Sequence, residues 1–358
     1  MSQDKLAELR LRIDELDEQL QSLMNQRGRL AMEVAAAKQA MGESNYYRPA
    51  REAEVLRKVM ARNQGPLPDA TLVRLFRELM SACLALEGPL RVAYLGPAGT
   101  YTEAAVYKHF GHAIVPLPLT GIAEVFREVE ADRAHFGVVP VENSTEGMVN
   151  HTLDMLARSS LLICGEVVQA IHHCLLGRGE LTQVQEVRAH AQSLAQCRQW
   201  LARTLPQAHQ VAVSSNAEAA RQAAELSHVA AIAGRIAAET YQLAMLAENI
   251  EDDSENTTRF LVIGKQKIGS TGQDKTSLML ATQNKPGALH RLLAPFAEQG
   301  VSMTRIESRP SRRSPWDYNF FVDFEGHAED ARIQTLLRAV ADEAMIFKVL
   351  GSYPQAVY

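Results

Sequence analysis

The spacing of apolar residues follows three rhythms along the chain, and each predicts a different architecture. Leu6, Leu9, Ile13, Leu16, Leu20, Leu23, Leu30 and Val34 recur in steps of three and four, with Arg27 occupying one position of the same seam, as in a heptad helix. A helix from Leu6 to Met41 would be ~50 Å long, whereas a compact unit of this size is only ~30 Å across. It is therefore predicted to pack along a second chain. Helical patterns follow at Pro49 to Asn63 and Asp69 to Glu87, divided by the breaker Gly65-Pro66-Leu67-Pro68.

From Arg91 the pattern alternates. Strands are expected at Arg91 to Leu95, His135 to Val141, Leu161 to Val168, Ala170 to Leu176, Val211 to Val213, Val229 to Ala233 and Thr257 to Ile263. Helices are expected behind a capping box of Thr100 and Glu103, from about Ser193, behind a second capped start at Ser215 and Glu218, and from Arg235 to Ala247. Such alternation is α/β, and the last strand can return to the first sheet, leaving a cleft between two lobes. A Gly, Ser and Gln linker leads to the third rhythm: strand (Ser277 to Thr282), helix (Ala288 to Gln299), strand (Val301 to Arg309), strand (Tyr318 to Phe324), helix (Ala328 to Glu343) and strand (Lys348 to Ser352), a βαββαβ order. The fold expected is multidomain: an all-α unit over 1–90, a two-lobed α/β unit over 91–266, a linker over 267–275 and an α+β ferredoxin-like unit over 276–358.

Composition narrows the partners. In 358 residues, 42 acids stand against 37 bases with no basic block or stripe, which argues against nucleic acid and for small molecules. No signal-peptide core and no run near the ~18 apolar residues of a membrane span is present, so a cytosolic, non-membrane protein is expected. Cys83, Cys164, Cys174 and Cys197 are scattered singly, as reduced core residues are. His172, His173 and Cys174 adjoin one another but lack the second ligand pair of a zinc site, and no metal is expected.

Three places carry candidate chemistry. A guanidinium taken out of water at Arg27 must find an anion, and no carboxylate lies in the seam; Lys38, three turns on, and Arg10, beside Leu9, line nearly the same surface. A dianionic ligand held between helices would suit them, and so would an ordinary coiled coil with one tolerated Arg. In the middle unit, Gly-Pro-Ala-Gly-Thr-Tyr from Gly96 turns a strand into a helix N-terminus, an anion site or a plain turn. Glu142, Asn143, Ser144 and Thr145 crowd the carboxyl end of a strand, the usual ligand crevice of α/β sheets. The polar loop from Asp252 delivers Thr257 and Thr258 onto the start of a buried strand, where they are either presented hydroxyls or simple β-formers. In the last unit Pro286 and Gly287 open a helix whose backbone donors could take a carboxylate.

The first unit, through Arg10, Arg27, Lys38 and Arg51-Glu52, resembles the helical chorismate mutases, which form intertwined dimers. That resemblance implies that Arg10, Arg27 and Arg51 hold substrate carboxylates, Lys38 donates to the ether oxygen of the breaking bond and Glu52 binds the substrate hydroxyl. Glu87 matches a Gln or Glu position and can donate to the ether oxygen only when protonated, so mutase turnover is expected to decline as pH rises. Arg48 stands where Asp is familiar and Cys83 where Ser is, and neither receives a role. A pericyclic rearrangement needs only the folded conformer and positive charge at the ether oxygen.

GPAGTY, VPVENSTEG, HAQSLAQC and NTTRF, in this order, resemble prephenate dehydratase. By that resemblance Thr258 is the essential hydroxyl at the departing ring hydroxyl, and Thr100, Glu142, Asn143, Ser144, Thr145, Gln196, Ser215 and Asn216 line the substrate pocket. Ala189 stands where a serine is familiar, and Arg259 is either functional or a structural counterion. The reaction is driven by aromatisation and needs no cofactor. KPGALH and ESRP resemble phenylalanine-binding ACT domains, which makes Gly287, Ala288, Leu289, Glu307, Ser308 and Arg309 the expected effector site. The whole order resembles that of the bifunctional chorismate mutase and dehydratase family, which implies chorismate and prephenate as substrates, L-phenylalanine as effector, and a homodimer with further pairing open. A dehydratase whose helices only dimerise it, and a non-catalytic amino-acid-binding protein, are the rival readings.

Overall fold

The structure is a computed structural model that describes residues 3–42, 47–283, 285–311 and 318–357. Its first unit is three helices, α1 (Gln3–Ala40), α2 (Pro49–Arg62) and α3 (Asp69–Ala85). Pro49 opens α2 at a position that needs no hydrogen-bonding N–H, and the Pro-rich breaker ends it. Helix α1 buries only Gly28, and its seam lies open: Leu16, Leu20 and Leu23 are 57%, 52% and 60% exposed. Helices α2 and α3 instead dock on the next unit, where Tyr47 packs its ring against Phe110 and Phe136 at 5.2 and 5.3 Å.

The middle unit has two sheets. The first is made of β1 (Arg91–Leu95), β2 (Val115–Leu119), β3 (Phe136–Asn143), β5 (Leu162–Ala170) and β11 (Thr257–Gly264) in the order β2-β1-β3-β11-β5, with the short β4 (Gly147–Met148) on β3. Strands β1, β2 and β3 run parallel with α4 (Tyr101–Phe110) and α5 (Ile122–Glu130) as crossovers; α6 (Asn150–Arg158) leads into β5, and β11 is antiparallel to both β3 and β5. The second sheet uses β6 (Cys174–Gly177), β7 (Glu186–Ala189), β8 (His209–Ala212), β9 (Val229–Ala233) and β10 (Ala244–Ala247) in the order β10-β6-β9-β7-β8, with α7 (Ala191–Gln196), α8 (Arg198–Thr204), α9 (Asn216–Ala223) and α10 (Arg235–Tyr241). The chain crosses to this second lobe after β5 and comes back as β11, the return expected from the sequence.

Three local expectations change. The strand expected over Ala170 to Leu176 is split: Ala170 closes β5, and β6 begins only at Cys174. The helix from Arg235 stops at Tyr241, where Gln242 adopts a left-handed conformation, and Ala244–Ala247 pairs with β6. Alanine-rich sequence favours helix by propensity, and the open edge of β6 overrides it. The Thr100 hydroxyl caps the Glu103 N–H as expected at 3.3 Å, but the Glu103 carboxylate does not return to Thr100. It accepts from Gly99 N–H at 2.6 Å and Tyr94 O–H at 2.8 Å instead. Gly99 has φ +85°, and a Cβ there would fall 2.9 Å from the Tyr241 ring, so only glycine fits this turn between the lobes.

The third unit is built from β12 (Asp274–Ala281), β13 (Met303–Pro310), β14 (Tyr318–Glu325) and β15 (Ile346–Pro354), a four-stranded antiparallel sheet in the order β13-β14-β12-β15, with α11 (Ala288–Glu298) and α12 (Ala331–Glu343) on one face. Its other face is not solvated. Met279, Phe321, Leu350 and Tyr353 share a core with Ile163, Leu261 and Ile263 of the first sheet. The approach is so close that a Cβ on Gly351 would lie 2.2 Å from the Ile163 carbonyl oxygen. The expected linker is also tied down: Arg57 of α2 donates to Thr271 Oγ1 and to Gln273 O, both at 2.8 Å.

Candidate functional site

A cleft of about 220 Å³ opens between the two lobes of the middle unit. Thr100, Asn143 and Thr258 reach it from the first lobe, and Gln196, Ser215 and Asn216 from the second. The placement follows from the sheet. Strand β11 begins where β3 ends, so Thr258 pairs directly with Asn143 in the antiparallel register. Thr100 and Ser215 each cap a helix, α4 and α9, and turn both helix N-termini with their positive dipole ends toward the cleft from opposite sides.

One series of hydrogen bonds runs from His173 to Thr258. Gln196 Oε1 can only accept, so His173 Nε2 donates to it at 2.8 Å; Gln196 Nε2 donates to Thr145 Oγ1 at 3.1 Å. Thr145 Oγ1 donates to Asn143 Oδ1 at 2.6 Å, and Asn143 Nδ2 donates to Thr258 Oγ1 at 2.8 Å. Thr258 thus accepts from within the protein and has its own proton to give to the cleft. Each donation polarises the next, which strengthens the last donor in the series. Burial holds the His173 pKa below its ordinary value, and Tyr101 O–H lies 2.7 Å from its Nδ1. Asn256 supports the same array, accepting from Asn143 Nδ2 at 2.9 Å and donating to Gln196 Oε1 at 3.3 Å.

Ser144 lies just outside the cleft lining, and its hydroxyl accepts from Thr257 N–H at 2.9 Å. Glu142 faces away from the cleft, 3.4 Å from Arg305 of the third unit. Arg259 is a counterion, donating to Glu166 at 2.9 Å, Asp323 at 2.6 Å and the Tyr353 hydroxyl at 3.0 Å.

In the helical unit the expected residues are spread out. Arg10 and Arg27 are ~25 Å apart along α1 at ~1.5 Å per residue, too far for one small ligand to reach both within one chain. Among the described residues Arg27 has no hydrogen-bond or ion-pair partner, so no internal carboxylate neutralises it. Lys38 lies 3.6 Å from Glu87, whose Oε2 is buried and accepts no hydrogen bond among the described residues. Arg51 is 64% exposed and pairs with Glu54 at 3.1 Å. Glu52, one residue on, turns the other way, toward Arg77 at 3.5 Å, and burial raises its carboxyl to about 7.

The family models for chorismate mutase type II, prephenate dehydratase and the ACT domain match residues 9–88, 92–268 and 276–342. The chain is 54% identical to the bifunctional chorismate mutase/prephenate dehydratase of Pseudomonas aeruginosa over 362 aligned residues, 99% of either chain. The chain belongs to the bifunctional chorismate mutase/prephenate dehydratase family. Among solved structures, the prephenate dehydratase of Arthrobacter aurescens in complex with L-Phe is 35% identical, with a TM-score of 0.69 over 74% of this chain and 90% of that one. GqqA, described as a quorum quenching acylase, has the same TM-score of 0.69 at 29% identity, over 74% of this chain and 98% of that one. The middle and C-terminal folds alone therefore do not fix an activity, and the residues of the cleft have to.

In the ACT unit Gly287 starts α11 in a left-handed conformation, Ala288 is buried and Leu289 exposed. Arg309 points to the dehydratase unit and pairs with Asp154 at 2.7 Å. Among the described residues no hydrogen bond or ion pair joins Gly287, Ala288 or Leu289 to Glu307, Ser308 or Arg309. Four residues that contact the expected ones are not among the sequence candidates. Asn256 was legible, as the amide just before the two threonines. His173, between His172 and Cys174, suggests a zinc ligand by sequence, although a buried His is as well suited to hold an amide. Asp323 and Arg305 carried no signal, because the partners they meet lie far away in the chain, Arg259 for Asp323 and Glu142 for Arg305.

Proposed function

We propose that the chain rearranges chorismate to prephenate between α1 helices and turns prephenate into phenylpyruvate in the interlobe cleft, with Thr258 as the proton-giving hydroxyl. The directed hydrogen bonds from His173 to Thr258 carry the second assignment. When prephenate decarboxylates, the electron pair of the breaking C–CO₂ bond enters the ring, and the ring C–O bond opposite breaks to leave an aromatic product. The departing oxygen takes the Thr258 proton and leaves as water, and solvent entering the emptied cleft returns a proton to Thr258. Asn143 donates to Thr258 Oγ1 at 2.8 Å, which orients the Thr258 proton outward and stabilises the oxygen as it gives up that proton. The N-termini of α4 and α9 supply donors for two carboxylates. Gln196, Asn216 and Ser215 position the substrate from the second lobe.

For the mutase, the exposed α1 seam supports a homodimer, and the distance between Arg10 and Arg27 supports a site completed by the partner's α1. Arg27, Lys38 and Glu87 face the ether oxygen and one carboxylate. Arg51 serves the other carboxylate and Glu52 the hydroxyl, after both side chains turn toward the partner's helix. L-Phenylalanine binds at Gly287, Ala288, Leu289, Glu307, Ser308 and Arg309 and inhibits. No helix among the described residues is long and apolar enough to cross a membrane, and four buried free cysteines suit the cytosol. The test is incubation with chorismate, following prephenate and phenylpyruvate separately with and without L-phenylalanine. Thr258→Val should accumulate prephenate without phenylpyruvate; phenylpyruvate formed at the parent rate would sink the assignment.

A further inference from the structure

Side chains alternate across a strand, so when Asn143 and Thr258 face the cleft their neighbours Glu142 and Arg259 face the opposite side. Those neighbours are themselves paired in register, and the ladder is irregular just beyond them, between Arg259 and Phe260. Irregular ladders beside active sites aim side chains. On this opposite side stands the ACT sheet. Arg305 of β13, 14% exposed, reaches across it: its Nε is 3.4 Å from Glu142 Oε2, its Nη1 is 3.7 Å from Asp323 Oδ2, and its Nη2 meets Met148 Sδ. Asp323 also accepts from Arg259 Nη1 at 2.6 Å and from Ser277 Oγ at 2.5 Å. Arg259 and Lys275 then share Glu166, at 2.9 and 2.8 Å. Glu142, Arg305, Asp323, Arg259, Glu166 and Lys275 form one chain of alternating charge between the two units. It grips the strand ends that carry Asn143 and Thr258.

We propose that Arg305 is a positioning residue of the dehydratase: from the ACT domain it fixes Glu142 directly and Arg259 through Asp323, and so sets the Asn143 to Thr258 geometry. Arg305 lies two residues from Glu307 on the same strand, so an effector that moves β13 draws this guanidinium off the catalytic strands. That second clause rests on the effector site proposed above. The guanidinium does what no ammonium can, because its planar fork holds a carboxylate on each of two edges while a lysine offers one point charge. Its loss is tolerable to the fold, since the Glu142 side chain is half-exposed and Asp323 keeps Arg259.

The experiment uses the full-length enzyme with Arg305→Gln and Arg305→Lys, measuring mutase and dehydratase rates in the same preparation and L-phenylalanine binding by calorimetry. Displacing reacting groups by about 1 Å costs up to ~100-fold. Arg305→Gln should therefore lower dehydratase kcat about tenfold or more, with KM changed far less, a parent-like mutase rate and a parent-like thermal midpoint. Arg305→Lys should recover part of kcat and carries the test if the Gln variant does not fold. A parent-like dehydratase kcat in both variants overturns the positioning role. If L-phenylalanine binds Arg305→Gln and still inhibits it as fully as the parent, the coupling is overturned. A parent that binds no L-phenylalanine refutes the effector site instead, while the basal kcat still decides the role of Arg305.

Discussion

Replacing Asn143 by aspartate keeps the size of the side chain and reverses the polarity of the one contact on which the dehydratase reading turns. One carboxylate oxygen can still accept from Thr145 N–H at 3.1 Å, Thr145 Oγ1 at 2.6 Å and Glu146 N–H at 3.1 Å. The other now faces Thr258 Oγ1 at 2.8 Å and Asn256 Oδ1 at 2.9 Å with lone pairs where there were protons. Thr258 must turn its own proton to the new carboxylate, in a charge-assisted bond worth about 1.5–3 kcal/mol. The departing ring oxygen loses its donor in the transition state, for which about 2.7–4 kcal/mol, or 10²–10³ in kcat, is the usual cost. A new negative charge in the cleft also repels a dianionic substrate and raises KM. Dehydratase turnover measured as phenylpyruvate formed from prephenate should fall by about 10²–10³ at neutral pH, with the mutase rate unchanged. Activity should return as pH is lowered, because the protonated carboxyl of the variant donates to Thr258 again. A variant within about threefold of the parent, with the same pH profile, would refute a Thr258 polarised by Asn143.

Three further outcomes are expected. The Glu52 carboxyl is raised from 4.5 to about 7 by burial, so the folded state binds its proton more tightly than the unfolded chain does. Its protonated form is favoured fully below about pH 4.5, and about 3 kcal/mol of stability is lost as pH rises through about 7; Glu52→Gln should flatten that decline in denaturant titrations, and equal slopes in both proteins would contradict it. Gly351→Ala places a methyl 2.2 Å from Ile163 O, so it should cost about 1–3 kcal/mol and expose residues 265–273 to proteolysis; a parent-like thermal midpoint would disprove the close packing. Leu16→Glu with Leu20→Glu puts charge in the open α1 seam and should yield a monomer without mutase activity and with dehydratase retained, by size exclusion and the two assays. Retention of both dimer and mutase would show that the seam is not the interface.

Much of this protein was written in local pattern. The heptad rhythm from Leu6 to Val34, the two capping hydroxyls at Thr100 and Ser215, and the βαββαβ order after Thr276 are all consequences of periodicity and capping chemistry, which act over a few residues. The Thr-Thr stretch on the first strand after a polar loop likewise foretold a hydroxyl at a strand start. Only the folded chain decided what met it. Asn143 lies 115 positions away, His173 and Gln196 arrive on another lobe, and their common direction of hydrogen bonding exists only once β11 returns beside β3. The same limit explains Arg259 and Arg305. A charged residue in a strand gives no local sign of its counterion, because ion pairs form across space after the hydrophobic faces of two sheets have been buried against each other. Ala244–Ala247 makes the point for backbone: alanine prefers helix by a fraction of a kcal/mol per residue, and one open strand edge outweighs it.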